Sequence, residues 1–84
     1  MYELIFDKEF KKSLDKLDNS QRRRVLDKVL QLETFPELGK HLLGVDIWSL
    51  RIGKFRVLYK IKDKYLEILI LNLEHRKKAY KDFK

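Results

Sequence analysis

Trp48-Ser49-Leu50-Arg51-Ile52 and Phe55-Arg56-Val57-Leu58-Tyr59 are two runs rich in β-branched and aromatic residues, with only Gly53-Lys54 between them. Runs of this kind joined by two residues with glycine first predict a β-hairpin closed by a type II′ turn. The turn sets the register: Ile52 faces Phe55 and Arg51 faces Arg56. Strand alternation then sends Trp48, Leu50, Ile52, Phe55, Val57, Tyr59 and Ile61 to one face, all of them apolar or aromatic, and that face is core. Ile47, Ser49, Arg51, Arg56, Leu58 and Lys60 go to the other. Like charges directly opposed on a sheet are unfavourable by roughly 0.2 to 1 kcal/mol, so the arginine pair brings the fold no stability. It reads either as two solvated strand residues or as a prepared anion site, for phosphate above all, because a guanidinium binds phosphate in a fork.

The chain around this hairpin has 84 residues, enough for one domain over residues 1–84 with a sheet, a helical layer and little else. It lacks cysteine, which excludes disulfide and thiolate chemistry, and it begins without a charged and then apolar leader. A reducing, cytoplasmic setting is the simplest expectation. No apolar run approaches the roughly 18 residues that a membrane span needs. Twenty Lys and Arg against 13 Asp and Glu leave a formal charge of +7, which favours a polyanionic partner, either nucleic acid or an acidic protein.

Tyr2 to Phe6 alternates as a short first strand. Asp7 is placed to cap an amphipathic helix carrying Phe10, Leu14 and Leu17, and Asp18-Asn19-Ser20 interrupts it and offers a second N-cap. A second helix is predicted from about Gln21 to Thr34, burying Val25, Leu26, Val29, Leu30 and Leu32 and ending before Pro36. Leu38 to Val45 reads as a connection, with Leu42 and Leu43 anchored on the core. After the central hairpin, Asp63-Lys64 makes a two-residue turn into a last strand, Tyr65 to Leu73. That turn would set Lys60 opposite Glu67 and gather Leu69, Leu71, Leu73 and His75 beside Arg56 on the outer face. The expected fold is α+β: an N-terminal strand, a two-helix hairpin, then a three-stranded antiparallel meander, with the helices on one face of a four-stranded sheet.

The two histidines, His41 and His75, lie in different segments without cysteine or paired carboxylates, so the reading invokes no metal and no cofactor, and His41 reads as a loop residue. A P-loop, a dinucleotide fingerprint and a G-x-S-x-G elbow are all absent. What remains is a basic cluster: Arg51, Lys54, Arg56 and Lys60 from the strands, with His75, Arg76, Lys77, Lys78 and Tyr80 from the end of the chain. RNA can be cut without metal when a base takes the 2′-hydroxyl proton, cations hold the charge growing on the phosphate oxygens, and an acid protonates the leaving 5′-oxygen. Arginine suits the second task, and histidine and tyrosine suit the others, although tyrosine can equally stack on a base.

The Arg51-Ile52-Gly53-Lys54-Phe55-Arg56-Val57-Leu58-Tyr59 run, followed by His75-Arg76-Lys77-Lys78-Ala79-Tyr80, resembles the RelE/ParE toxin superfamily, and within it the RelE-like mRNA interferases. The resemblance covers nearly the whole chain. It implies a RelE-like fold and a metal-independent endoribonuclease that cuts mRNA in the ribosome by 2′-hydroxyl attack and so inhibits translation. It also implies a cognate acidic, RelB-like antitoxin in a toxin–antitoxin hetero-oligomer. On this resemblance Arg56 stabilises the transition state, Arg76 serves the leaving group, and Tyr80 stacks on or orients the substrate. Arg51, Lys60, Lys77 and Lys78 would bind RNA phosphate. Family lysines two and four residues before Arg51 are replaced by Ser49 and Ile47, which leaves Lys54, His75 or Lys77 to take the proton. Two other readings stand beside it: a ParE-like DNA gyrase inhibitor with no chemistry of its own, and a plain nucleic-acid-binding module.

Overall fold

The computed structural model describes residues 1–75. Along the chain run β1 (Glu3–Phe6), α1 (Lys8–Asp15), α2 (Asn19–Leu30), β2 (Lys40–His41), β3 (Trp48–Ile52), β4 (Phe55–Lys62) and β5 (Glu67–His75). The strands form one five-stranded sheet in the order β1-β5-β4-β3-β2, antiparallel except that β1 runs parallel to β5. The sheet thus has one strand more than the sequence predicts. β2 is only two residues long and pairs Lys40 with Ser49 and His41 with Trp48, too short to leave an alternation signal. His41 is therefore a strand residue, its ring stacked on Trp48 with centroids 4.8 Å apart.

Both helices begin as the sequence requires. The Asp7 carboxylate accepts from the Glu9 amide at 2.9 Å and the Asp18 carboxylate from the Gln21 amide at 2.8 Å, each satisfying an orphan donor of a first turn. Arg22 reaches back from α2 and donates to the carbonyls of Leu14, Asp15 and Leu17, around the end of α1. α2 stops at Leu30, earlier than predicted, and tightens into a 3₁₀ turn over Gln31–Glu33. Leu30 is correspondingly half exposed rather than core, because Val25, Val29 and Leu32 keep the i, i+4, i+7 stripe and Leu30 falls beside it.

The core lies between the helices and one face of the sheet. Phe10 and Leu14 from α1, and Val25, Val29 and Leu32 from α2 and its extension, pack on Leu50, Ile52, Val57, Tyr59, Ile68, Ile70 and Leu73. Each aliphatic side chain so enclosed contributes roughly 1.5–3 kcal/mol through removal from water. Leu43, expected on the core, is fully exposed: the Leu42 amide donates to Ile47 across a tight loop containing Gly44 at φ +78°, which lifts Leu43 off the surface. The segment before β2 is tied down by Tyr59, whose hydroxyl donates to the Pro36 carbonyl at 2.7 Å and accepts from the Gly39 amide at 3.0 Å.

The last strand departs most from expectation. The turn is a 3₁₀ turn, Asp63–Tyr65, ended by Leu66 in the left-handed region at φ +53°, so the loop is two residues longer than the predicted Asp63-Lys64 and is followed by a shifted register. Lys62, not Lys60, faces Glu67, and Lys60 faces Leu69. A β-bulge then places Leu71 and Asn72 in the step where β4 advances only from Tyr59 to Leu58. The extra residue reverses the alternation beyond it. Leu73 turns into the core opposite Val57, and His75 pairs with Phe55 on the helix side instead of joining Arg56.

Candidate nucleic-acid interface

The hairpin forms in the predicted register. Gly53 has φ +57° and Lys54 has no positive φ, the sign pattern of a type II′ turn, and Arg51 pairs with Arg56. Leu50, Ile52 and Val57 beside them are buried against the helices, so the two arginines occupy the opposite face of the sheet, open in that no helix among the described residues packs on it. Across that face the bulge brings a third charge. Glu74 pairs with Arg56, and its Oε1 lies 3.4 Å from Arg56 Nη2, with side-chain exposures of 28% and 18%. The row therefore reads Glu74, Arg56, Arg51 from β5 across β4 to β3. Arg56 is half-buried and held in place, whereas Arg51 is exposed.

Glu74 is the residue that sequence reasoning missed. Without the bulge, strict alternation puts it on the core side. Asn72 within an otherwise apolar run is the one visible sign of the break, because a polar residue there has no place in a buried face. Of the predicted site residues, the structure brings Arg51 and Arg56 together. Lys60 shares their face farther along β4, beside Leu69. Lys54 stands at the turn with its Nζ 5.7 Å from the centroid of the Phe55 ring, and His75 meets the same ring edge-on at 5.7 Å. Both therefore lean on Phe55 rather than on the arginine row. Arg76, Lys77, Lys78 and Tyr80 lie outside the described residues. Half-buried Leu58, Leu69 and Leu71 complete the open face.

Chemically, this row offers one held guanidinium group, one exposed guanidinium group and one carboxylate on three neighbouring strands. It can grip an anion and take up a proton beside it. Among the described residues no cluster of three His, Asp or Glu side chains is placed to hold a metal ion. No helix among them is long and apolar enough to cross a membrane.

The family profile described as "ParE toxin of type II toxin-antitoxin system, parDE" matches residues 4–80 of the chain. Among solved structures, the toxin–antitoxin complex RelBE2 from Mycobacterium tuberculosis is similar at 29% identity and a TM-score of 0.82, over 89% of this chain and 98% of that one. The archaeal RelE–RelB complex from Pyrococcus horikoshii is similar at 31% identity and a TM-score of 0.79, over 89% and 94%. The isolated RelE toxin of E. coli, at 21% identity, shares the fold over the full length of both chains with a TM-score of 0.78. A comparison with curated protein sequences gave no match.

Proposed function

Because the chain belongs to the RelE/ParE family of type II toxin–antitoxin toxins, we propose that it is a metal-independent endoribonuclease that cuts mRNA on the ribosome and is restrained by an acidic, RelB-like antitoxin. The observation that carries this reading is the row Glu74, Arg56, Arg51 on the open sheet face. Two arginines on paired positions of neighbouring strands suit a phosphate whose oxygens gain charge as the 2′-oxygen attacks phosphorus. Glu74 is the carboxylate that touches Arg56, and it accepts the 2′-hydroxyl proton. The O2′–P bond forms, the P–O5′ bond breaks, and O5′ leaves with a proton. The products are a 2′,3′-cyclic phosphate and a 5′-hydroxyl. Arg76 donates to the leaving oxygen and Tyr80 orients the base, as the family resemblance implies, while Lys77, Lys78 and Lys60 bind flanking phosphates. The proton-accepting role considered for Lys54 and His75 passes to Glu74, because both lean on Phe55.

A second reading, inhibition of DNA gyrase by binding alone, is favoured by the ParE description of the matching profile and by Ser49 and Ile47 in place of lysines. One experiment separates the two. Purified protein is added to translating ribosomes and mRNA ends are mapped, with gyrase supercoiling assayed in parallel. The nuclease reading expects new 5′-hydroxyl ends and unaffected supercoiling. Arg56→Ala should slow cleavage by 10²–10³-fold, as loss of one oxyanion donor does, and Glu74→Gln should slow it with the fold retained. Inhibited supercoiling without cleavage overturns it.

A further inference from the structure

The open face is not the only cationic surface. β2 pairs only with Trp48 and Ser49, so among the described residues no strand covers the outer edge of β3 from Leu50 to Ile52. Between that edge and α2 lie two adjoining hollows of about 300 and 400 Å³ that share Lys28 and Arg51. Arg24 lines the first hollow and Lys40 the second, so four cations face this groove against one carboxylate, Asp27. Among the described residues the only salt bridge is Arg56 with Glu74, so Asp27 neutralises none of the four at contact distance. The guanidinium of Arg24 lies over the turn, within van der Waals reach of Gly53. In a two-residue hairpin the residues flanking the loop exchange the hydrogen bonds, so Ile52 pairs with Phe55 and the next residue, Arg51, directs its backbone N–H outward, toward the groove.

We propose that this groove is a second phosphate-binding track, in which Arg24, Lys28 and Lys40 hold the backbone of a single-stranded nucleic acid after it has passed over Arg51 from the open face. The proposal rests on the nucleic-acid reading of that face and extends it. Arg51 makes the two surfaces continuous: it belongs to the arginine row and borders both hollows. Ile52, Leu38 and Leu50 also line the hollows, but four cations against one carboxylate along a donor edge give the groove the charge that repeated phosphates require.

The test measures binding of 2′-O-methyl RNA, which resists cleavage, as a trinucleotide and as a dodecamer over a series of salt concentrations. It uses the full chain, Arg24→Ala/Lys28→Ala, the milder Arg24→Gln/Lys28→Gln, and Lys11→Ala/Lys12→Ala as an equal loss of charge on exposed α1, with circular dichroism confirming each fold. Two lost single-strand phosphate contacts should lower the log–log salt slope for the dodecamer by about 1.4 and weaken its binding roughly 10- to 30-fold near 0.1 M salt. The trinucleotide, held on the open face, should bind all variants alike. Dodecamer binding unchanged in both groove variants overturns the track while leaving the nuclease reading intact. An equal loss in the α1 variant, or an equal loss when oligo-glutamate replaces RNA, overturns it as mere attraction for polyanions. Failure of the unmodified protein to bind either RNA overturns both readings.

Discussion

Tyr59 joins chemistry to architecture at a single side chain. Its ring is fully buried in the core while its hydroxyl reaches the far side of the sheet's packing to hold Pro36 and Gly39. Tyr59→Phe keeps the ring and removes two half-buried hydrogen bonds, to the Pro36 carbonyl and from the Gly39 amide, which should cost about 1–3 kcal/mol in urea or guanidinium unfolding. Burial pushes the Tyr59 phenol above its ordinary 10.0, the Gly39 amide opposes this, and Glu37 adds to it. A group whose folded pKa is raised contributes stability in full below its unfolded pKa and loses it as pH rises through the folded value. The protein should therefore lose stability above about pH 10, and the Tyr59→Phe profile should be flatter there. Tyr2 shifts in the same direction through its hydrogen bond to Asp63, so some alkaline loss will remain in the variant. Arg56 and Glu74 belong at this scale as well. One half-buried pair places the charge on which the proposed reaction depends, which is why two substitutions suffice to test it.

At the scale of elements, the turn between β4 and β5 and the bulge that follows decide what the open face contains. Leu66 ends the 3₁₀ turn at φ +53° and ψ +43°, a conformation that costs an L-residue roughly 1–2 kcal/mol and a β-branched one more. Leu66→Gly removes the strain, whereas Leu66→Val increases it. The glycine variant should be more stable than the valine variant by about 1–2 kcal/mol, read from their denaturation midpoints. Downstream, the bulge sends Leu73 inward and Glu74 outward. No local propensity asks for this. It is the arrangement that buries Leu73 with Val57 while keeping Ile68 and Ile70 against the helices, and Glu74 beside Arg56 is its by-product.

For the whole molecule, the parallel pairing of β1 with β5 closes the architecture. The first strand lies against the last, and the Tyr2 amide donates to Glu33 at 2.9 Å, so the beginning, the helical hairpin and the end of the described chain are tied together. One hydrophobic cluster draws on α1, α2, β3, β4 and β5 alike. Such a core has no part that unfolds alone without exposing the rest. Fluorescence of Trp48, stacked between His41 and Tyr59 at the β2 side of the sheet, should accordingly report the same midpoint and slope as helical ellipticity. Two distinct transitions would show that the helices and the sheet unfold separately.

The central hairpin, its glycine turn, the opposed arginines, both helix caps and the apolar face of the sheet were legible in the sequence because each rests on residues within a few positions of one another. Glycine chooses the turn, the turn sets the register, and alternation does the rest. The two-residue β2, the exposure of Leu30 and Leu43, the shifted pairing of Lys60 and the outward turn of Glu74 were decided only in the folded chain. Each is a compromise between strands or helices distant in sequence, settled by how the core fills rather than by local preference. Composition made the molecule basic; tertiary structure arranged its arginines into a row that ends in a carboxylate and continues over the edge of the sheet.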